Sequence, residues 1–164
     1  MTAISFSQPK FENQIPKGEK VRTTRLLGNG KRYLQHLHSM NDGKPVRLYW
    51  KQRTKDCRLL LEPKIIEMGV LKFGVDDNFL PQYGNHFMNF LQMERYALEE
   101  GFSSWTEFQA VIEKLHGSNF RDFDYYTIKW RRLSIPDAET TKSESQHDGI
   151  KQEKGKTTGQ ERRG

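Results

Sequence analysis

Hydrophobic and polar residues alternate most regularly in VRLYWK, where Val46, Leu48 and Trp50 interleave with Arg47, Tyr49 and Lys51. Period two is the signature of a strand with one buried and one wet face. The segment Leu59–Leu61 then leads past Pro63 into Ile65, Ile66, Met68, Val70, Leu71 and Phe73, which predict one or two core strands interrupted near Gly69 by a bulge or turn. Near the end of the apolar text, Tyr126, Ile128 and Trp130 alternate with Thr127, Lys129 and Arg131, a last strand with a basic outer face. The aromatics Trp50, Tyr126 and Trp130 are expected to fill the core.

Helical spacing appears twice. It runs from His86 through Phe90, Leu91, Glu94 and Ala97 to Glu99, with Gly101 as a stop. A second helix begins at the capping box Ser104-x-x-Glu107 and places Phe108, Val111, Ile112 and Leu115 on one stripe for burial before Gly117. Upstream, Lys10–Glu12 begin a short helical turn that leads into the Pro16–Gly18 reversal. The turns GNGK and NDGKP enclose a short apolar piece, Tyr33–Leu37, and residues 74–84 read as a loop. Residues 135–164 carry no aromatic side chain and only Ile135, Ala138 and Ile150 as apolar ones, so they are expected to form a disordered polar tail. The chain is thus read as one domain, residues 1–134, followed by a tail, residues 135–164.

Charge changes this picture more than composition does. The 164 residues carry a formal charge of +6, and residues 1–60 alone hold thirteen Lys and Arg against four Asp and Glu, a net of +9. Such asymmetry suits an anionic partner, nucleic acid being the commonest. No run of about 18 apolar residues or signal-peptide layout is present, so a cytoplasmic protein without a membrane partner is expected. The lone Cys57 excludes an internal disulfide and is expected to be a small buried side chain. GNGK lacks the spacing of a P-loop, and His36 and His38 have no third ligand nearby, so neither a cofactor nor a metal is expected.

The densest candidate chemistry is IPKGEKVRTTR. Lys20, Arg22, Thr23, Thr24 and Arg25 are too closely spaced for one strand face to bury them all, and they are expected to be displayed. Taken alone, the segment reads as a solvated basic turn. Its amine, hydroxyl and guanidinium are also the groups that hold an anion or activate a small polar substrate.

Taken together, FENQIPKGEKVRTTR, PVRLYWKQRTKDCRLL, ALEEGFSSWTEFQAVIEKLHG and YYTIKW resemble an ASCH domain of the PUA-like family, over about residues 6 to 133. The opening is similar to the family's hydrophobic-x-x-G-x-K-x-x-T-x-R signature at Ile15, Gly18, Lys20, Thr23 and Arg25. The element Arg53-Thr54-Lys55-x-Cys57 looks like the phage and prophage version, and EGFSSWTEF like the family's helix junction. The resemblance implies an α+β fold, a small PUA-like mixed β-barrel with helices at its rim, and a cleft for RNA or a modified nucleoside. One bacterial subgroup is an N4-acetylcytidine amidohydrolase. Its lysine proton acceptor, threonine nucleophile and glutamate proton donor match Lys20, Thr23 and Glu100. The neighbouring Glu99 leaves the choice of carboxylate open, and an extended chain would point Lys20 and Thr23 in opposite directions. Two stretches depart from the compact enzymes, the insertion 26–45 and the longer 74–84 loop.

These readings converge on recognition of RNA or a modified nucleoside in a basic cleft. Arg22, Arg25, Arg53, Lys55, Tyr49 and Lys129 are the candidate binding residues, as stacked aromatics and cations suit bases and phosphates. An amidohydrolase or a ribonuclease using Lys20, Thr23 and Glu100 is the enzymatic alternative. A phage factor that binds a host protein is the third. Oligomeric state is not legible.

Overall fold

The structure is a computed structural model that describes residues 2–74 and 80–131. These belong to one compact unit, residues 1–133. The expected tail, residues 135–164, lies outside the described residues, as does the centre of the expected 74–84 loop.

The fold is α+β, with two sheets and four α-helices among the described residues. The first sheet has the order β1-β3-β4, from β1 (Ala3–Phe6), β3 (Arg47–Trp50) and β4 (Arg58–Leu61), and β1 runs parallel to β3. The second has the order β2-β8-β5-β6-β7, from β2 (Arg22–Leu26), β8 (Asp124–Trp130), β5 (Ile65–Lys72), β6 (Gln82–Tyr83) and β7 (His86–Phe87). All of its pairings are antiparallel. Between the sheets the isolated bridge Pro45–Lys64 forms where the chain passes from β4 towards β5. The two terminal strands β1 and β2 share no ladder among the described residues, so the backbone closes no barrel there.

The β3 alternation works as the sequence requires, with Val46, Leu48 and Trp50 buried. Along β8, Tyr126, Ile128 and Trp130 are buried; the Trp130 ring meets Phe6 of the first sheet edge-on at 6.3 Å, and Tyr126 packs against Tyr33 and His36 of the 31–41 stretch. Strand β5 is unbroken through Gly69, contrary to the expected interruption. The Tyr83 ring occupies the space beside this glycine, and a Cβ there would lie 2.6 Å from it. The irregularity falls between Ile65 and Glu67 instead.

Four further expectations are corrected. Helix α3 spans Phe90–Glu99 rather than starting at His86, because Asn89 and Gln92 form a reciprocal capping box there and His86–Phe87 pair as β7. The 31–41 stretch is a helix, α2 (Lys31–Asn41), begun by Gly30 at φ 73°. In α4 (Trp105–His116) Ser104 caps the helix as expected, but the Glu107 carboxylate accepts from the N–H and hydroxyl of Ser103, and Leu115 is 64% exposed. Cys57 is exposed, just before β4. The remaining helix, α1 (Phe11–Gln14), sets Phe11 edge-on to both Phe6 and Phe102. A second aromatic nucleus surrounds Phe73, with Trp105, Phe108, Phe120 and Tyr125.

No helix among the described residues is long and apolar enough to cross a membrane.

Candidate functional site

The Lys20–Arg25 segment is packed rather than displayed. Lys20 is fully buried and Arg22 and Thr23 nearly so, with 0%, 4% and 3% of their surface exposed. Its partners come from the end of α3. The Val21 N–H donates to the Glu99 carbonyl at 2.9 Å, which ties the entry of β2 to the last turn of that helix. Gly101, at φ 82°, then turns the chain away, and its bare Cα fits against Gln14 and the Lys20 side chain.

Glu100 is thereby set against Lys20. The Lys20 Nζ donates to Glu100 Oε2 at 2.9 Å and to the Glu100 carbonyl at 2.5 Å, while lying 4.2 Å from the centre of the Phe11 ring. The other carboxylate oxygen, Oε1, accepts from the Thr24 hydroxyl at 2.5 Å. Thr24 has one proton and uses it on Glu100, so the Tyr96 hydroxyl is the donor in their 2.7 Å contact. Burial lowers the Lys20 amine from 10.5 to about 8, only partly offset by Glu100. Burial also raises the Tyr96 hydroxyl well above its usual value, with the Glu100 charge acting in the same direction.

Strand parity decides which hydroxyl takes part. Arg22 and Thr24 share one face of β2, and Thr23 and Arg25 share the other. Lys20 and Glu100 therefore come together with Thr24, whereas Thr23 pairs across to Ile128 and is buried.

Beyond Thr24 on the same face, Arg22 donates from Nε to Glu99 and from Nη2 to Glu67, each at 2.9 Å, and from Nη1 to Thr127 at 3.3 Å. The Lys129 Nζ donates to the second Glu99 oxygen at 2.6 Å. These groups border a cleft of about 420 Å3 with Tyr83, Tyr96 and Phe87. Its three cations, Arg22, Arg95 and Lys129, all lie within ion-pair distance of Glu99, and Arg22 of Glu67 as well. Glu99 thus serves this cleft, and Glu100 serves Lys20.

The opposite face of β2 opens on a larger cleft, about 870 Å3, lined by β1, Arg25, Arg53 and the α2 residues Arg32, His36 and Ser39. Arg25 is partly buried, donates from Nη2 to the Ser5 carbonyl at 2.7 Å, and stacks its guanidinium 5.2 Å from the Phe6 ring centre. Arg53 reaches the cleft from a backbone at φ 74°, a conformation unusual for a side chain with a Cβ.

Of the candidate binding residues, Arg25 and Arg53 line the larger cleft, and Arg22 and Lys129 line the smaller. Tyr49 lies in the first sheet opposite Leu59, and Lys55 is exposed on the β3–β4 turn; both stand outside the two clefts. Sequence reasoning counted Thr24 only within a displayed segment, passed over Tyr96, Glu67 and Arg32, and weighed His36 only as a metal ligand. A helical reading of KRYLQHLHS would have found the last two, since Arg32 and His36 are four apart and share a face. Among the described residues no three His, Cys, Asp or Glu side chains gather as metal ligands would. Comparison of the chain with protein-family models, with curated proteins and with solved structures gives no match.

Proposed function

We propose that the protein is an ASCH-like module, an opened form of the PUA-like barrel, that recognises RNA or a modified nucleoside in the larger cleft. The observation that carries this reading is local charge. Arg25, Arg32 and Arg53 line that cleft, and none of the three lies within ion-pair distance of a carboxylate among the described residues. Cations are left unmatched where a ligand brings the opposite charge. Tyr126, also in the lining, supplies an aromatic wall. The test is the binding of a short single-stranded RNA across a salt series. Three phosphate contacts give a slope of log affinity against log salt of about −2. Absence of binding at low salt, or an affinity indifferent to salt, refutes the reading.

A second reading, hydrolysis of an N4-acetylcytidine-like amide to the free amine and acetate, is favoured by the Lys20 amine at about 8 beside Glu100 and the Thr24 hydroxyl. Incubation with N4-acetylcytidine, following cytidine and acetate, tests it. Turnover that survives both Lys20→Ala and Glu100→Gln removes these residues from the chemistry.

A further inference from the structure

Helix α2 belongs to the 26–45 insertion, and it completes the larger cleft. Three guanidiniums meet there without a carboxylate, those of Arg25, Arg32 and Arg53; the nearby Lys44 and Asp42, by contrast, satisfy each other at 2.7 Å. Arg25 is half-buried and spends one N–H on the Ser5 carbonyl, while Arg32 and Arg53 are exposed. His36, 5% exposed, stacks its ring on Tyr126 with centroids 6.1 Å apart and forms part of the cleft wall. An anion in this cleft supplies the counter-charge that the arginines lack.

The form of the anion follows from the donors. Burial, then Arg25 and Arg32, lowers His36 from 6.5 to about 4, so at neutral pH it is an uncharged imidazole. The positive charge comes from the arginines alone. Guanidiniums present forked donors that suit phosphate oxygens. A carboxylate brings one charge and two oxygens to this array, whereas a phosphomonoester brings up to two charges and three terminal oxygens. A phosphodiester within a strand brings one charge and must lead the chain both in and out. The volume, about 870 Å3, is that of a small-ligand pocket, in the range of roughly 300–1,000 Å3, which suits the end of a chain or a single nucleotide.

We infer that the cleft binds a phosphomonoester, the terminal phosphate of a nucleotide or an RNA chain, through Arg25, Arg32 and Arg53. This deepens the RNA-recognition reading and rests on it for the source of the phosphate.

The experiment compares one short RNA in three forms: 5′-phosphate, 3′-phosphate, and hydroxyl at both ends. Inorganic phosphate and a nucleoside monophosphate serve as competitors. One phosphorylated form is expected to bind at least tenfold tighter than the hydroxyl form and to be displaced by the monophosphate. Displacement by inorganic phosphate at equal concentration assigns the site to the phosphate group alone; weaker displacement assigns part of the affinity to the nucleoside. Arg32 is exposed, so Arg32→Gln leaves the core untouched, and it is expected to abolish the preference. Equal binding of the three forms, or a preference that survives Arg32→Gln, overturns the monoester site while leaving RNA recognition standing. Failure of all three forms to bind at low salt overturns both.

Discussion

Replacing Glu100 by Gln keeps the shape of the buried cluster and removes its negative charge, and the consequence depends on what Lys20 then does. If the lysine stays protonated, it becomes an unpaired buried charge; breaking a buried ion pair in this way costs about 3–5 kcal/mol. If it releases its proton, the cost is set by how far the pH lies below its value in the native protein. That value is about 8. Each pH unit is worth about 1.4 kcal/mol, so at pH 7 the wild-type protein loses only about 1 kcal/mol by neutralising the amine. Treating the neutral-amine forms of the two proteins as equal, release is the cheaper route at pH 7. Glu100→Gln is therefore expected to destabilise by about 1 kcal/mol at pH 7 and about 3 kcal/mol at pH 6, levelling at the ion-pair figure below that. Above pH 8 the difference is expected to vanish. The sign follows from proton counting. In the variant the native state has lost the Lys20 proton while the unfolded chain keeps it, so variant stability rises with pH. In the wild type that rise begins only near pH 8. Urea titrations at pH 6, 7 and 8.5, followed by the emission of the buried Trp50, Trp105 and Trp130, read the difference directly. A cost that is constant over this range, or that grows with pH, refutes the reasoning.

The remaining predictions concern the same framework. Wild-type stability is expected to rise between pH 8 and about 10, because the unfolded lysine holds its proton until 10.5 while Lys20 in the fold does not. Above pH 10 the trend is expected to reverse, since burial raises Tyr125 to about 12 and Tyr96 in the same direction, so the unfolded chain loses these protons first. Thermal melts from pH 7.5 to 11 should show a maximum, and in Lys20→Met its rising limb should disappear. Gly69→Ala is expected to cost roughly 1–3 kcal/mol in urea denaturation, as the new Cβ lies 2.6 Å from the Tyr83 ring, which the 2.6 Å bond to Glu67 helps to hold in place. Phe73→Ala, which opens the aromatic nucleus of Trp105, Phe108, Phe120 and Tyr125, is expected to cost about 3–5 kcal/mol. Leu115→Ala, on the exposed side of α4, should stay within about 0.5 kcal/mol and serves as its control.

How much of this was legible in the sequence depended on whether the deciding partner was near in the chain. The strand Arg47–Trp50 and the start of α4 at Ser104 were readable because alternation and capping are local. Helix α2 was not. Its buried residues are His36 and Ser39, Leu34 is 53% exposed, and it starts at a glycine, so it has neither an apolar stripe nor the usual cap. The burial of Lys20 and Arg22 was also hidden, because a run of cations and hydroxyls reads as solvated until Glu67, Glu99 and Glu100 are known to lie against it. Family resemblance paired Lys20 with Glu100, 80 residues apart, and the fold brings them into contact. The same resemblance pointed to Thr23, whereas the parity of β2 gives the Glu100 contact to Thr24.

The charge asymmetry takes on a sharper meaning once the partners are assigned. The net of +9 in residues 1–60 is a sum over cations in very different situations. Lys20 is matched by Glu100, Arg22 by Glu67 and Glu99, and Lys10 by Glu107, so carboxylates from the middle of the chain neutralise cations from its beginning. Arg47 pairs with Glu62, Arg58 with Glu12, Lys44 with Asp42 and Lys51 with Asp56. Among the described residues of that third, what remains is Lys17, Lys31 and Lys55, exposed on turns or at a helix start, and the three arginines of one cleft. A solvated lysine is indifferent to having no partner, since water serves it almost as well. The three arginines differ in that they line one concave surface, where a single anion meets several charges at once. The functional content of the basic N-terminal third therefore resides in Arg25, Arg32 and Arg53 rather than in the total, and substituting these three should remove most of the salt-sensitive affinity while replacing the exposed lysines removes little.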